Sequence, residues 1–528
     1  MSKYLWILLL AGVWGEVYAQ EYLTDHFSDT GTAVIYGMIN SYEAPHHDSI
    51  RYRCYTGPLW YYPEGNDYQE GVCEVRAGNL MEGAGPGHER VFDIRLSGLR
   101  GPSYVKLKLG VKDPILDYYL IRPGDTIWMK IDYTRGHTLF GGANGDLFRC
   151  QYELQLAMYN SMYARNSIMK VEDSAQFVHS TEKILRLYED SRIPGRRKML
   201  LEPYGREGIK ALQNRIDRIW KEEFPHRMDI LADYAGKIDP ATWDILRADI
   251  LGDLLLSAYS KFITEYRYAR MKEDSETMDE LDRLFGEKLS GYDERFLQDE
   301  VILHSREYRR SLESRAQCLA FKEGGKSIDY LSKLQVPRIR DVLTAKYLIE
   351  NFAGREGMYE WTKEVLLSIE DPYCRMHLEE WLHHWVDQKV EPLSLPDTEG
   401  RTVDIRDLEG KVVLLDFWFT GCKPCVWFHK TSLSKVKAHF ADEEDFAVLS
   451  VSVDRSRDTW LKSVASGQYT SDAAINVHIK GRDHPFLKAY GILGYPTVLL
   501  VDREGRMTGS AVPRDAEEMI EVIKRKLD

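Results

Sequence analysis

The sequence predicts a multidomain chain with an N-terminal β-rich domain, a central all-α region and a C-terminal α/β domain. The hydrophobic period is about two residues from Val34 to Tyr133 and changes to the helical period from Phe148 to Val386. Beyond Asp387, buried strands alternate with helices, which is typical of an α/β fold. A chain of 528 residues is also too long for one core. We assign the three domains to residues 20–147, 148–388 and 389–528.

The N-terminus predicts export. Lys3 precedes the apolar stretch Tyr4 to Trp14, and the small or neutral residues Val17-Tyr18-Ala19 suit cleavage before Gln20. We interpret residues 1–19 as a cleaved signal peptide. The alternative is a membrane anchor, but this stretch is shorter than the ~20 residues that a spanning helix needs. No later stretch is apolar enough to span a bilayer, so we do not expect an integral membrane protein.

The charge balance excludes one class of partner. The chain has 70 basic and 83 acidic residues and a net charge of -13. A nucleic-acid-binding protein needs a basic stripe to displace counterions, and the sequence contains none. We therefore predict no nucleic-acid partner.

Alternation in the first domain predicts β-strands. Phe92, Ile94 and Leu96 alternate with polar residues, as do the apolar residues in the segments 105–111 and 127–131. Turn-forming residues separate these segments. The pattern predicts a β-rich domain.

The central region has the spacing of amphipathic helices. Trp243, Leu246, Ile250 and Leu254 recur at steps of three and four residues. Asp239-Pro240 is a favourable helix start, because the carboxylate can cap the first turn and proline lacks the donor that this turn cannot use. We predict six or more helices.

Five cysteines lie outside the C-terminal domain. Export favours disulfides, and Cys54 with Cys73 is a candidate structural pair. Cys318 and Cys374 lie in helical patterns and are interpreted as buried thiols, while Cys150 is left unassigned. The pair His383-His384 lacks the further ligands that a metal site needs, so we predict no metal and no cofactor.

The most informative motif is Cys422-Lys423-Pro424-Cys425. It follows the apolar run Val412 to Trp418, and two further predicted strands are Phe446 to Val453 and Thr497 to Val501. The arrangement predicts a βαβ unit with the dithiol at a strand-to-helix junction. Unpaired N–H groups and the helix dipole at that junction should lower the pKa of the first thiol, and Lys423 adds a nearby cation.

The spacing suits a two-step exchange. Cys422 would attack a target disulfide as the exposed nucleophile, and Cys425, more buried and one turn further on, would resolve the mixed disulfide. The alternatives are half of a zinc site, which lacks a second matching pair, or a passive structural disulfide.

With these residues the sequence resembles the exported TlpA/ResA-like thiol-disulfide oxidoreductases of the thioredoxin superfamily. The resemblance covers residues of about 390 to 528. It rests on Leu415-Asp416-Phe417-Trp418, on the Cys422–Cys425 motif and on Gly494-Tyr495-Pro496-Thr497. It implies a thioredoxin-like fold for the C-terminal domain.

The resemblance also implies residue roles. Asp416 matches the buried acid that moves the proton of the second cysteine; the alternative is a strand-end carboxylate that meets solvent. Pro496 matches the cis-proline beside the dithiol, where the backbone of Tyr495 pairs with an incoming peptide. We place Tyr495, Trp418 and Lys423 at the substrate-binding surface.

Three positions depart from the family pattern. Gly421 replaces a common tryptophan, Lys430 stands where a helix-kinking proline is common, and Phe428 stands where an acid is frequent. The direction of electron flow is therefore left open.

We predict a periplasmic thiol-disulfide oxidoreductase that reduces disulfide-containing exported proteins. The resemblance implies a membrane thiol carrier as its reductant and a multidomain Gram-negative type of protein. One alternative is a peroxiredoxin-like peroxidase, for which Thr420 is the available threonine. Another is an exported ligand- or partner-binding protein in which the dithiol is regulatory. No role is assigned to residues 20–388.

Overall fold

The computed structural model describes residues 31–40, 49–57, 59, 68–78, 89–109, 113–132, 137–172, 177, 182–193, 196–353, 357–386, 388–509 and 512–528. The predicted signal peptide, residues 1–19, lies outside the described residues. No helix in these ranges combines the length and apolar character that crossing a membrane requires.

The N-terminal domain is built from β-strands, as its alternating pattern predicts. Its described strands are β1 (Gly31–Asn40), β2 (Ser49–Tyr55), β3 (Tyr68–Glu74), β4 (Arg76–Ala77), β5 (Glu89–Leu99), β6 (Ser103–Leu109), β7 (Asp113–Ile121), β8 (Thr126–Asp132) and β9 (His137–Gly141). They form two sheets, with the orders β4-β5-β1-β8-β9 and β3-β2-β6-β7. Phe92, Ile94 and Leu96 are all buried. The prediction of a β-rich domain is confirmed.

The prediction of a disulfide between Cys54 and Cys73 in this domain is wrong. Strands β2 and β3 pair so that Cys54 faces Gln69 while Cys73 faces Ile50. The two cysteines are therefore offset along the ladder, and both are free. Burial raises the pKa of the Cys54 thiol to about 12, which makes it an inert apolar side chain.

The central region is mainly helical. Its described helices are α1 (Gly145–Tyr163), α2 (Glu182–Ser191), α3 (Arg206–Arg218), α4 (Phe224–Ala232), α5 (Pro240–Met271), α6 (Ser275–Lys288), α7 (Asp299–His304), α8 (Arg306–Glu323), α9 (Ile328–Leu331), α10 (Pro337–Asn351), α11 (Met358–Leu366) and α12 (Pro372–Val386). Asp239 caps α5 by accepting a hydrogen bond from the Thr242 amide at 3.0 Å. Cys318 and Cys374 are buried thiols that form no disulfide, as interpreted from the sequence, and Cys150 is also buried and outside any disulfide.

The region is not all-α. Strands β10 (Ser167–Val171) and β11 (Met199–Pro203) pair in parallel register between its helices. Each strand has five residues, which is too short for its period to stand out against the helical pattern around it. The helical assignment is correct for most of the region and wrong for this pair.

The C-terminal domain has the predicted α/β arrangement. It contains β12 (Ser394–Pro396), β13 (Thr402–Asp404), β14 (Val412–Trp418), α13 (Lys423–Phe428), α14 (Ser434–His439), β15 (Phe446–Ser452), α15 (Arg457–Ala465), β16 (Ile475–His478), α16 (Pro485–Ala489), β17 (Thr497–Val501) and α17 (Ala516–Leu527). Its sheet has the order β16-β15-β14-β17, with β17 antiparallel to β14. The sequence reasoning missed β16, which has four residues. A π-helical turn, His429–Leu433, joins α13 to α14.

Apart from Leu59, which belongs to the second unit, the described chain divides into two compact units between Arg340 and Asp341. In the second unit, the last helices of the central region pack on the α/β domain. Trp385 of α12 is fully buried and lies 5.1 Å from the Tyr490 ring and 4.8 Å from Phe352 between ring centroids. The proposed boundaries after residues 147 and 388 remain predictions.

Candidate functional site: a dithiol at a helix start

The two cysteines of the motif lie at the junction of β14 and α13 and form a disulfide, with Cα atoms 5.3 Å apart. Cys422 is the N-cap of α13, and the backbone N–H of Cys425 donates to Cys422 Sγ at 3.1 Å. The helical path continues without a break through the π turn to His439. This donor and the helix dipole favour negative charge on Cys422 Sγ once the disulfide is reduced.

Three hydrogen bonds hold the loop before Cys422. Asp454 accepts from the Thr420 amide at 3.0 Å and from the Thr420 hydroxyl at 2.7 Å. The Gly421 amide donates to the Tyr469 hydroxyl at 2.8 Å. Gly421 has φ of +92°, a conformation that a side chain such as tryptophan would strain. The glycine at this family position is therefore required by the backbone.

Trp418, which we placed at the substrate-binding surface, is buried in this structure. Its side chain is 0% exposed, stacks on Tyr469 with ring centroids 4.9 Å apart, and donates its indole N–H to Ser450 Oγ at 2.8 Å. A tryptophan at the end of a fully buried strand packs inward. Trp418 therefore packs against the dithiol in the apolar cluster and is not part of the exposed surface in this structure.

The predicted difference in exposure between the cysteines is also absent. Cys422 and Cys425 are each 3% exposed and belong to one apolar cluster with Trp418. Tyr495 packs against this cluster, and its carbonyl oxygen lies 3.9 Å from Cys422 Sγ. The disulfide is therefore covered by the loop that precedes Pro496.

Pro496 lies beside the dithiol, after a cis Tyr495–Pro496 peptide bond. Its carbonyl accepts a hydrogen bond from the Arg514 guanidinium at 3.0 Å, and Thr497 closes the turn by donating to the Gly494 carbonyl at 2.8 Å. Lys423 is exposed at the start of α13. The structure thus brings Cys422, Cys425, Tyr495 and Pro496 together.

Asp416 lies within β14 and is 2% exposed. Burial raises the pKa of its carboxyl to about 7, and the positive charge of Lys437 opposes this rise. The alternative of a carboxylate that meets solvent is therefore wrong. A carboxyl with this pKa can hold or release a proton near neutral pH.

Sequence reasoning missed a buried basic pair close to this acid. Lys437 Nζ lies 3.2 Å from His429 Nε2 and donates to Ser471 Oγ at 2.8 Å. Burial lowers the pKa of Lys437, and burial with the charge of Lys437 lowers the pKa of His429 to about 4. An ideal α-helix sets residues eight apart about 80° away from alignment, so the spacing gave no clear signal. The π turn between them changes their relative rotation and brings the two side chains together.

Thr420, the threonine considered for a peroxiredoxin-like peroxidase, has its hydroxyl engaged away from the dithiol. The Thr420 hydroxyl is held by Asp454 and also lies 2.7 Å from Ser463 Oγ. It is therefore part of the loop anchor. Over the described ranges no cluster of three or more His, Cys, Asp or Glu side chains could hold a metal ion.

A Cys-x-x-Cys disulfide at a strand-to-helix junction, beneath the loop before a cis-proline, is typical of a thioredoxin-like oxidoreductase. Residues 386–526 match the Redoxin family model. The thiol-disulfide oxidoreductase ResA of Halalkalibacterium halodurans is 30% identical over 138 residues, 25% of this chain and 72% of that protein. The chain therefore belongs, through this domain, to the ResA-like thiol-disulfide oxidoreductases, which confirms the family predicted from the sequence.

Two further relatives match the same domain. ResA of Bacillus thuringiensis is 23% identical over 141 residues, 25% of this chain and 72% of that protein. The crystal structure of the thioredoxin domain of a thiol-disulfide oxidoreductase from Bacteroides vulgatus is 26% identical, covers 27% of this chain and 98% of that one, and has a TM-score of 0.24.

Proposed function

We propose that this protein reduces disulfides in exported proteins. The Cys422 thiolate attacks one sulfur of the target disulfide, a mixed disulfide forms, and the first target thiolate leaves. Cys425 then attacks Cys422 Sγ, which releases the second target thiolate and leaves the Cys422–Cys425 disulfide. Two electrons pass from the dithiol to the target, and the two protons of the dithiol end on the two target thiols.

The hydrogen bond from the Cys425 amide to Cys422 Sγ carries this proposal, because it stabilises a thiolate at the attacking position. Asp416 supports the second step. A carboxyl whose pKa burial raises to about 7 is matched to accepting the proton of Cys425 near neutral pH. The backbone of Tyr495 is the proposed binding edge for the target peptide, and Lys423 the proposed nearby cation.

The location and the reductant are proposed from the sequence. The signal-peptide pattern before Gln20 supports export to the periplasm of a Gram-negative cell, and an external dithiol on a membrane thiol carrier would reduce the Cys422–Cys425 disulfide again. N-terminal sequencing of the exported protein should find Gln20 first. A mature chain that begins at Met1 would contradict cleavage.

The proposed activity is tested by following the reduction of a disulfide-bonded protein by the full-length chain with excess dithiothreitol. Cys422→Ser should lower the rate to that of dithiothreitol alone. The free, buried Cys318 is a matched control, and Cys318→Ala should keep the wild-type rate. Equal rates for the wild type and Cys422→Ser would contradict the assignment.

A further inference from the structure

An exposed arginine lies at the edge of the dithiol site. The guanidinium carbon of Arg482 is 4.7 Å from the centroid of the Phe419 ring and 5.1 Å from that of Tyr495. These rings meet edge to face, with centroids 5.6 Å apart, and both pack against the cluster that contains Cys422 and Cys425. Arg482 is therefore held by the two aromatic side chains that border the dithiol.

The edge of this guanidinium is available to a partner. The contacts with the two rings are cation–π contacts, which use the charge of the group and leave its N–H donors for other acceptors. Across the described segments, Arg482 makes no hydrogen bond and no ion pair. An open guanidinium edge matches a carboxylate, to which it can donate two parallel hydrogen bonds.

Other exposed cations lie near Arg482 or directly next to the dithiol in the chain. Lys480 is two residues before Arg482, Lys423 follows Cys422, and the Cγ of Arg455 would lie 3.6 Å from a Cβ placed on Gly481. We call Lys423, Arg455, Lys480 and Arg482 the basic rim. The rim contrasts with the net charge of -13 of the whole chain.

The neighbouring acids do not neutralise this rim. The Asp454 carboxylate accepts hydrogen bonds from the hydroxyls of Thr420 and Ser452 and so faces the loop. Asp483, which follows Arg482, is exposed and offsets one of the four cations. With Asp454 counted as well, the rim has four cations against two carboxylates and keeps an excess of positive charge beside Arg482.

We propose that the basic rim, chiefly through Arg482, selects target disulfides that are flanked by acidic residues. The proposal rests on the proposed function and deepens it by naming the class of partner. When a target sulfur meets Cys422, a carboxylate next to the target cysteine comes within reach of the guanidinium edge. The effect is local, because the net charge of the chain repels an acidic partner at longer range.

The test uses three cystine peptides that differ only in the residue beside the reactive cysteine, which is Glu, Gln or Lys. The full-length wild type should reduce the Glu peptide roughly two- to fivefold faster than the Lys peptide, as expected for an exposed ion pair. Arg482→Gln should bring this ratio close to one, and Arg482→Glu should invert it. Raising the salt concentration to 0.5 M should also bring the wild-type ratio of Glu-peptide to Lys-peptide rates closer to one.

The matched control is Arg525→Gln on the exposed face of α17, where Arg525 donates to the Glu521 carbonyl at 3.2 Å. It should keep the wild-type ratio. Equal wild-type rates on the three peptides, a ratio that survives Arg482→Gln, or an equal loss on all three peptides would overturn the rim proposal alone. A wild type that reduces none of them contradicts the proposed function, and the rim proposal falls with it.

Discussion

At the residue scale, the environment of Asp416 determines how the site should respond to pH. The carboxyl is buried in β14, and the compensating charge comes from Lys437, which is itself buried and bonded to His429 and Ser471. A negative charge at Asp416 is therefore costly, but the nearby cation keeps it attainable near neutral pH. This balance suits a group that takes a proton in one step and returns it in another.

The raised pKa of Asp416 predicts a pH-dependent stability. The carboxyl titrates near 3.8 when unfolded and at about 7 when folded, so the folded protein binds the extra proton between these values. Its contribution is fully present below pH 4 and is lost as the pH rises through 7. The loss should be roughly 2–4 kcal/mol.

Asp416→Asn has no such proton to lose. Urea unfolding of the oxidised protein at pH 5 and pH 8 should therefore show the variant gaining stability relative to the wild type as the pH rises. A difference between the two proteins that stays constant across this range would contradict the role given to burial.

Several site residues could be predicted from local motifs. Short sequence motifs, which can be found without knowledge of the fold, contain Cys422, Cys425, Asp416 and Pro496. Lys437 could not be predicted in this way, because its contact with His429 requires the π turn to set their relative rotation.

At the element scale, the loop between β14 and α13 is fixed by a carboxylate from another strand. Asp454 follows β15 and accepts from the Thr420 amide, the Thr420 hydroxyl and the Ser452 hydroxyl. The strand order places the end of β15 beside the end of β14. The position of Cys422 therefore depends on the neighbouring strand as well as on its own helix.

Removal of this anchor should affect both stability and exchange. Asp454→Ala loses three hydrogen bonds to a carboxylate, which should lower the free energy of unfolding by roughly 2–3 kcal/mol. The rate of disulfide exchange should fall as well, because the loop that carries Cys422 loses its fixed position. Denaturant unfolding and the reduction assay measure the two effects.

The exposed Asp442 provides the control, since Asp442→Ala removes a carboxylate of the same domain from the surface. It should change the unfolding free energy by less than about 0.5 kcal/mol. An Asp454→Ala protein with the stability of this control would show that the anchor contributes nothing.

Elements were predictable where the pattern was long or fully apolar. Strands β14 and β17 were found with their bounds, and β15 to within one residue. Strand β16 and the pair β10 and β11 were not predicted, because a strand of four or five residues is too short to show a clear hydrophobic period. A π turn spans Lys430, the position where a helix-kinking proline is common in the family, and sequence period alone does not reveal one extra residue in a turn.

At the scale of the whole molecule, the order of β-rich, helical and α/β regions was predictable from changes in hydrophobic period. The division between compact units was not, because α11 and α12 have the same helical pattern as their predecessors. Their attachment to the α/β domain depends on tertiary contacts such as that of Trp385 with Tyr490. The Glu391 amide adds to this contact by donating to the Tyr490 hydroxyl at 2.9 Å.

These contacts predict that the C-terminal α/β domain depends on helices α10 to α12 for its full thermal stability. A fragment of residues 337–528 should melt about 10 °C higher than one of residues 389–528, because loss of a buried tryptophan contact costs several kcal/mol. Thermal unfolding of the two oxidised fragments measures the difference. Equal melting temperatures would place the boundary of the stable unit at residue 389.

In the proposed mechanism Cys422 attacks the target disulfide and Cys425 resolves the mixed disulfide. The most direct test is the intact mass of the full-length Cys425→Ser protein after its reduction and its incubation with a cystine peptide. Attack by Cys422 predicts a mass increase of one peptide chain, held at Cys422 and released by dithiothreitol, with no increase in Cys422→Ser carried through the same steps. An adduct on Cys422→Ser and none on Cys425→Ser would contradict it.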